Sequence, residues 1–115
     1  MSKLSENFSE SEFECPCCGV TKINMELVTL LQEMRDDLGE RIHITSSYRC
    51  PKHNKLVGGA RKSQHLLGTA ADIVVESCSP HFIYEWLDNK LPKTGGIGKY
   101  NSFTHIDVRS RKARW

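Results

Sequence analysis

Two short motifs, far apart in the sequence, restrict this chain more than any other feature. The first spans residues 63–72 and carries His65 and Asp72, and the second begins at His105. Two imidazoles and one carboxylate form a complete protein ligand set for a catalytic zinc, which keeps a fourth coordination position open for water. Because His65 and His105 lie in distant segments, the fold has to bring them together. The motifs therefore predict a metal-activated hydrolase.

Length and composition further limit the classes of protein to which the chain can belong. A chain of 115 residues is long enough for one domain with a modest core and too short for two. The formal net charge of +2 is too small to favour nucleic acid as a substrate. No stretch approaches the roughly 20 apolar residues that span a bilayer, and residues 1–7 show no apolar signal region. We therefore expect synthesis in the cytoplasm, no membrane insertion, and delivery by another agent if the substrate lies outside.

Local patterns predict both helices and strands. Asn24 is a good N-cap for an amphipathic helix that Gly39 ends, and Ser79-Pro80 begins a second one. A short helix is expected over residues 51–57. Alternation and β-branched residues predict strands over residues 42–46, 70–75 and 103–109, with a turn into a strand at residues 95–98.

The strand over residues 103–109 explains how the second motif could contribute to a site. Its period of two places His105 and Asp107 on one side of the strand, while Ile106 faces the core. Asp72, on the strand over residues 70–75, can then meet His105 across the sheet. His65 would approach from the loop before that strand, so the motif residues would share one cleft.

Five cysteines need an explanation in so short a chain. Cys15, Cys17 and Cys18 form a tight cluster, Cys50 lies much later, and Cys78 stands alone. A structural zinc bound by Cys15, by Cys18 or Cys17, and by Cys50 is one interpretation, because Cys-x-x-Cys is a common zinc half-site. The sequence has no second half-site at finger-like spacing. Buried thiols, or one disulfide between the cluster and Cys50, therefore stay open as alternatives.

The wider pattern resembles a known family. The motif Ser63-x-His65-x-x-Gly68-x-Ala70-x-Asp72, followed by a His-x-Asp strand, is similar to the zinc D-Ala-D-Ala carboxypeptidase family, and especially to its small phage and prophage members. Further similarities are Ser47-Tyr48-Arg49, Pro51-x-His53-Asn54, Val57-Gly58-Gly59, the late Gly-Ile-Gly-x-Tyr and the closing Arg114-Trp115. The likeness covers residues 11–115, which implies an N-terminal extension over residues 1–10 and one zinc peptidase-like domain after it.

The resemblance implies a fold and a set of zinc ligands. The expected fold is the α+β hedgehog/DD-peptidase fold, in which a small antiparallel sheet carries the zinc site and helices flank it. His65, Asp72 and His105 match the family's ligands for one catalytic zinc ion. Arg49 matches an arginine that binds a substrate carboxylate or the developing oxyanion, a task that suits its fixed charge and forked donors.

Three further residues receive roles with alternatives. Ser63 and Gln64 match the opening of the motif and are expected to contact the substrate or support the ligands, with backbone capping as an equal alternative. Many relatives place an acid or a histidine shortly before the second histidine ligand, where this chain has residues 102–104, Ser-Phe-Thr. Asp107 is then the best carboxylate for a general base, and its competing role is to orient a ligand imidazole.

The resemblance also implies an activity and a partner. Family members cleave stem peptides of bacterial peptidoglycan, either at the D-Ala terminus or between L- and D-residues, and a small member would reach the wall by lysis or within a phage particle. A non-catalytic zinc-containing module of a phage structural protein that binds the cell wall stays open as an alternative. A zinc-finger protein for nucleic acid is disfavoured, because the cysteines lack a paired half-site and the chain lacks a strongly basic face.

Overall fold

The computed structural model describes residues 3–115 and confirms the predicted α+β class. Within these residues the helices are α1 (Met25–Leu38), α2 (Pro51–Leu56) and α3 (Pro80–Lys90). The strands are β1 (Ile42–Ser46), β2 (Ala70–Val75), β3 (Gly96–Lys99), β4 (Thr104–Asp107) and β5 (Ala113–Arg114). Short 3-10 helices cover Glu10–Phe13 and Gln64–Leu67. All predicted helices and strands are present close to their expected bounds.

The strands form one sheet in the order β1-β2-β4-β3-β5. Strands β1 to β4 pair antiparallel, as the family resemblance implies. The fifth strand runs parallel to β3, so the sheet is mixed rather than purely antiparallel. The chain leaves β4, turns, and returns along the free edge of β3, where the backbone N–H of Trp115 donates to the Ile97 carbonyl at 3.0 Å.

Helix α1 begins and ends where its flanking residues allow. The side chain of Asn24 accepts a hydrogen bond from the backbone N–H of Glu26 at 2.8 Å and so satisfies one free donor of the first turn. Gly39 ends the helix with φ of 66°, a left-handed conformation that glycine adopts without steric cost. No helix among residues 3–115 has both the length and the apolar character needed to cross a membrane.

The hydrophobic core joins α1, α3, the sheet and the N-terminal segment. Its fully buried members include Leu31 from α1, Leu87 from α3 and Ile106 from β4. Phe8 and Phe13 belong to the same core, with ring centroids 6.1 Å apart. Residues on both sides of the expected domain boundary at residue 11 therefore pack into one hydrophobic core.

Two glycines of β3 make room for side chains of the neighbouring strands. A Cβ atom on Gly96 would overlap the carboxylate of Asp107, and one on Gly98 would overlap the indole of Trp115. Close approach of this kind is a recognised reason for glycine within a strand. The absence of side chains at these two positions leaves the space in which the polar residues of β4 are arranged.

Candidate metal centre

The sheet brings the three predicted ligands together. Asp72 on β2 and His105 on β4 are direct cross-strand partners, which agrees with the expectation that they meet across the sheet. His65 comes from the 3-10 helix just before β2. Asp72 Oδ1 lies 3.4 Å from His65 Nε2 and 3.1 Å from His105 Nδ1. All three side chains are buried, with one candidate donor atom of each within 4.8 Å of the others.

The second nitrogen of each imidazole is already occupied. His65 Nδ1 lies 2.7 Å from the carbonyl oxygen of Ser47, which can only accept, so the proton sits on Nδ1. His105 Nε2 in the same way donates to Asp107 Oδ2 at 2.8 Å. Such partners fix the tautomer and ring orientation of metal-binding histidines. The nitrogens that remain, His65 Nε2 and His105 Nδ1, both face one oxygen of Asp72.

This donor set fits a zinc ion. Two atoms bound to a tetrahedral zinc at about 2.1 Å lie roughly 3.4 Å apart, close to the separations of Asp72 Oδ1 from the two histidine nitrogens. Two imidazole nitrogens directed at one carboxylate oxygen require a proton or a cation between them. One carboxylate and two nitrogen donors are also a composition that zinc accepts.

Electrostatics at the cluster also favour a cation. Burial opposes the charge of Asp72, but hydrogen bonds from His105 and His65 outweigh it and lower the pKa of Asp72 to about 2. Burial alone would lower the pKa of His105, yet hydrogen bonds to Asp107 and Asp72 raise it above its usual value. The field that favours a proton on His105 favours a metal ion at the same place.

Asp107 is placed to orient His105 rather than to meet a substrate. Its side chain is 0% exposed and accepts hydrogen bonds from Arg109 Nε at 2.8 Å, Arg109 Nη2 at 2.7 Å and the backbone N–H of Gly96 at 3.0 Å. Burial opposes its charge, but the bonds from Arg109 and His105 hold the pKa of Asp107 well below its usual range. Of the two roles predicted for Asp107, this geometry favours the orienting role.

A cleft of ≈ 630 Å³ opens beside the three ligands, and Arg49 forms part of its wall. Arg49 Nη2 lies 3.6 Å from Asp72 Oδ2, and the rest of the guanidinium is held by Ser46 Oγ and Asn54 Oδ1, each at 3.3 Å. The side chain is 16% exposed, so part of its charge faces the cleft. Arg49 therefore lies next to the three ligands on the wall of the cleft.

Ser63 and Gln64 border the cleft, and both also have local bonding partners. The hydroxyl of Ser63 accepts from the backbone N–H of His65 at 3.2 Å and caps the 3-10 helix that carries this ligand. Gln64 Oε1 accepts from the Thr69 hydroxyl at 2.8 Å. These hydrogen bonds agree with the capping role expected as an alternative. Because both residues also lie on the wall of the cleft, they can still contact a substrate.

The structure adds an aromatic wall whose role sequence reasoning did not assign. Trp115 lies with its ring centroid 5.0 Å from that of His105, and its indole N–H donates to the Tyr100 hydroxyl at 2.8 Å. Phe103 stacks on Tyr100 at 4.4 Å. The guanidinium of Arg109 lies 5.4 Å from the Trp115 ring. Two features of the sequence could have indicated this wall. The alternation of β4 puts Arg109 on the side of His105, and the family resemblance includes the closing Arg114-Trp115 pair.

The structure also gathers the cysteines that the sequence separates. The sulfurs of Cys15, Cys18 and Cys50 lie within 4.8 Å of one another, and all five cysteines of the chain are free thiols. Burial opposes ionisation of Cys15, but backbone amides directed at its sulfur, first that of Cys50, lower its pKa to about 7. Cys78 packs separately against the hydrophobic core.

A buried His-Asp-His donor set that opens onto a cleft beside an arginine is typical of a metallohydrolase centre. The family model described as Peptidase M15 matches residues 6–107. The chain therefore belongs to the Peptidase M15 family, the zinc D-Ala-D-Ala carboxypeptidase family that its motifs resemble. The match includes all three candidate ligands and Arg49. No curated protein matches the chain.

Proposed function

We propose that this protein is a zinc-dependent peptidase that hydrolyses peptide bonds in the stem peptides of bacterial peptidoglycan. The observation that carries the proposal is the convergence of His65, Asp72 and His105 at the floor of a cleft that Arg49 borders. Membership of the Peptidase M15 family supports a metallopeptidase. The metal and the substrate class are the parts that the experiments below test.

Each residue of the centre has a distinct task in this proposal. His65, Asp72 and His105 would hold the zinc ion, which when bound supplies the Lewis acidity that polarises a peptide carbonyl and lowers the pKa of water. The Ser47 carbonyl and the Asp107 carboxylate hold the two imidazoles in the tautomers that leave His65 Nε2 and His105 Nδ1 free as donors. The protein thereby sets the donor geometry before any substrate arrives.

Arg49 is the residue that would select the substrate. Ser46 and Asn54 hold its guanidinium in place, so little conformational freedom is lost when it binds an anion. A terminal carboxylate bound there would direct carboxypeptidase cleavage, and a side-chain carboxylate of the stem would direct endopeptidase cleavage. In either case the donors of Arg49 would lie near the place where negative charge develops on the carbonyl.

One observation favours the alternative of a non-catalytic module that binds the cell wall. Among the residues that the structure describes, Asp72 is the only aspartate or glutamate that borders the cleft. A carboxylate with a pKa of about 2 is a weak proton acceptor at neutral pH, and peptide hydrolysis needs an acceptor for the proton of water. A module of this kind would use the same ligands and Arg49 to hold a stem peptide without cutting it.

The test is mass spectrometry of purified peptidoglycan after digestion by the zinc-loaded protein. We expect new stem-peptide fragments, and their masses would separate release of terminal D-Ala from cleavage inside the stem. The fragments should vanish with a chelator and with His65→Ala. They should persist with His43→Ala, a matched control on an exposed residue that pairs with Glu76.

If zinc-loaded protein yields no fragments from several types of peptidoglycan, the proposed peptidase activity is contradicted. Co-sedimentation with intact cell walls then distinguishes the alternative. A binding module should co-sediment in a zinc-dependent manner, and Arg49→Ala should weaken that association. Failure of both cleavage and co-sedimentation would exclude both candidate functions.

A further inference from the structure

We propose that the chain holds a second, structural zinc ion through the thiolates of Cys15, Cys17, Cys18 and Cys50. This site is separate from the His-Asp-His centre, and it does not depend on whether that centre is catalytic. The sequence shows only one half-site, Cys15-x-x-Cys18. The structure supplies the other half, because the fold carries Cys50 to the N-terminal cluster.

The positions of the sulfurs support this site. Cys15, Cys18 and Cys50 present their sulfurs within 4.8 Å of one another. Cys17 lies next to Cys18 on the same turn and is the cysteine nearest in sequence that could supply a fourth ligand. Four sulfurs bound to a tetrahedral zinc at about 2.3 Å lie roughly 3.8 Å apart. Structural zinc sites are closed by four protein ligands, and a set of four cysteines is a common form.

Backbone amides already point at two of the sulfurs. The N–H of Cys50 donates to Cys15 Sγ at 3.5 Å, and the N–H of His53 donates to Cys50 Sγ at 3.4 Å. Donors of this kind favour the thiolate, which is the form of cysteine that binds zinc. Zinc binding would release one proton from each cysteine that changes from thiol to thiolate.

The turn that carries the cluster is also fixed by its backbone. The N–H of Gly19 donates to the Cys15 carbonyl and the N–H of Cys15 donates to the Val20 carbonyl, both at 2.8 Å. Gly19 adopts φ of 71°, which closes the turn directly after Cys18. A disulfide would engage only two of the three grouped sulfurs, whereas a zinc ion would engage all three.

The site would join two segments that otherwise share few bonds. The N–H of Tyr48 donates to the Phe13 carbonyl at 3.2 Å, and Cys50 caps the first turn of α2. A zinc ion at the cluster would therefore fasten the N-terminal turn to residues 47–50. That stretch includes the Ser47 carbonyl that holds His65, and it includes Arg49.

Zinc analysis of the full chain and three variants tests the proposal. We expect about two zinc ions per chain for the wild type, and about one for the double variant His65→Ala/His105→Ala. Cys18→Ser/Cys50→Ser should also hold about one, while Cys78→Ser, a matched control outside the cluster, should keep both. A folded His65→Ala/His105→Ala variant without zinc would overturn the proposal.

Alkylation of the wild-type protein tests the second zinc site even if the cysteine variant does not fold. Cys17 and Cys18 are exposed, so free thiols at these positions would react quickly with iodoacetamide. We expect zinc-loaded protein to react at least about tenfold more slowly at both positions than chelated protein. Equal rates with and without chelator would overturn the proposal. An intact mass two hydrogens lower, which indicates a disulfide within the cluster, would overturn it as well.

Discussion

The two clusters of metal-type donors differ in how the protein presents them. His65, Asp72 and His105 are buried nitrogen and oxygen donors, two of them on adjacent strands, and they border a cleft. The cysteine cluster consists of sulfur donors on turns and at a helix start, where Cys17 and Cys18 are exposed. The first cluster offers three ligands and space beside them, while the second offers three grouped sulfurs with a fourth cysteine, Cys17, on the same turn. The difference corresponds to that between a catalytic zinc site and a structural one.

The strands that carry the first cluster and the turns that carry the second contribute differently to rigidity. Adjacent strands with a fixed register place donors to within a few tenths of an ångström, as chemistry requires. Turns contribute less rigidity of their own, so a metal bound between them would supply the rigidity instead.

Loss of a ligand from the first cluster should have the largest effect. In His65→Ala we expect turnover to fall to the level of chelated protein. This loss exceeds the roughly 10²–10³-fold cost of removing one oxyanion donor, because the metal is lost as well. The measurements are fragment yield from peptidoglycan and zinc content, which should drop by one ion per chain. Turnover above the chelated level would contradict the assignment of His65 as a ligand.

Disruption of the cysteine cluster should act on stability instead. In Cys18→Ser/Cys50→Ser we expect the free energy of unfolding at saturating zinc to fall by about 4 kcal/mol, the contribution of a ligand present at 1,000 times its Kd. Urea unfolding with and without zinc measures the difference. If the variant is as stable as the wild type in zinc, the cysteine cluster has no structural role and its assignment as a structural zinc site is wrong.

Arg49 should affect turnover without affecting either metal. In Arg49→Ala we expect kcat/KM to fall by roughly 100-fold, because the donors that face the developing charge are lost. Zinc content should not change, since Arg49 is not a ligand. Arg49→Lys keeps the charge but not the fork, so it should recover only part of the rate. Full activity of Arg49→Ala would rule out its role in substrate binding.

Asp107 gives the smallest expected effect and distinguishes its two predicted roles. In Asp107→Asn we expect zinc affinity to fall by roughly 10–100-fold, because the partner that orients His105 is altered. Activity should return at high zinc if Asp107 only positions His105. Zinc affinity like that of the wild type, together with lost turnover, would instead identify Asp107 as the general base.

The site was more predictable from the sequence than the edges of the fold. Alternation in β4 correctly predicts that His105 and Asp107 share a face, because a strand's period is a local property. β5 was not predicted, because two residues carry no periodicity and their pairing depends on β3. The grouping of Cys50 with the N-terminal cysteines is a tertiary contact, which spacing alone cannot decide. The bonds of Asp107 likewise depend on side-chain geometry that only the folded protein defines.

Each carboxylate of the metal centre has a guanidinium partner before any ion binds. Asp72 is paired with Arg49, and Asp107 with Arg109, so the two carboxylates and the two guanidiniums cancel. Lys62 also borders the cleft. A divalent cation would therefore leave the described side chains of the cleft with a net positive charge. In kinetic terms, the field of such a charge draws anionic peptides from solution, and it weakens as salt shortens the screening distance from about 10 Å at 0.1 M.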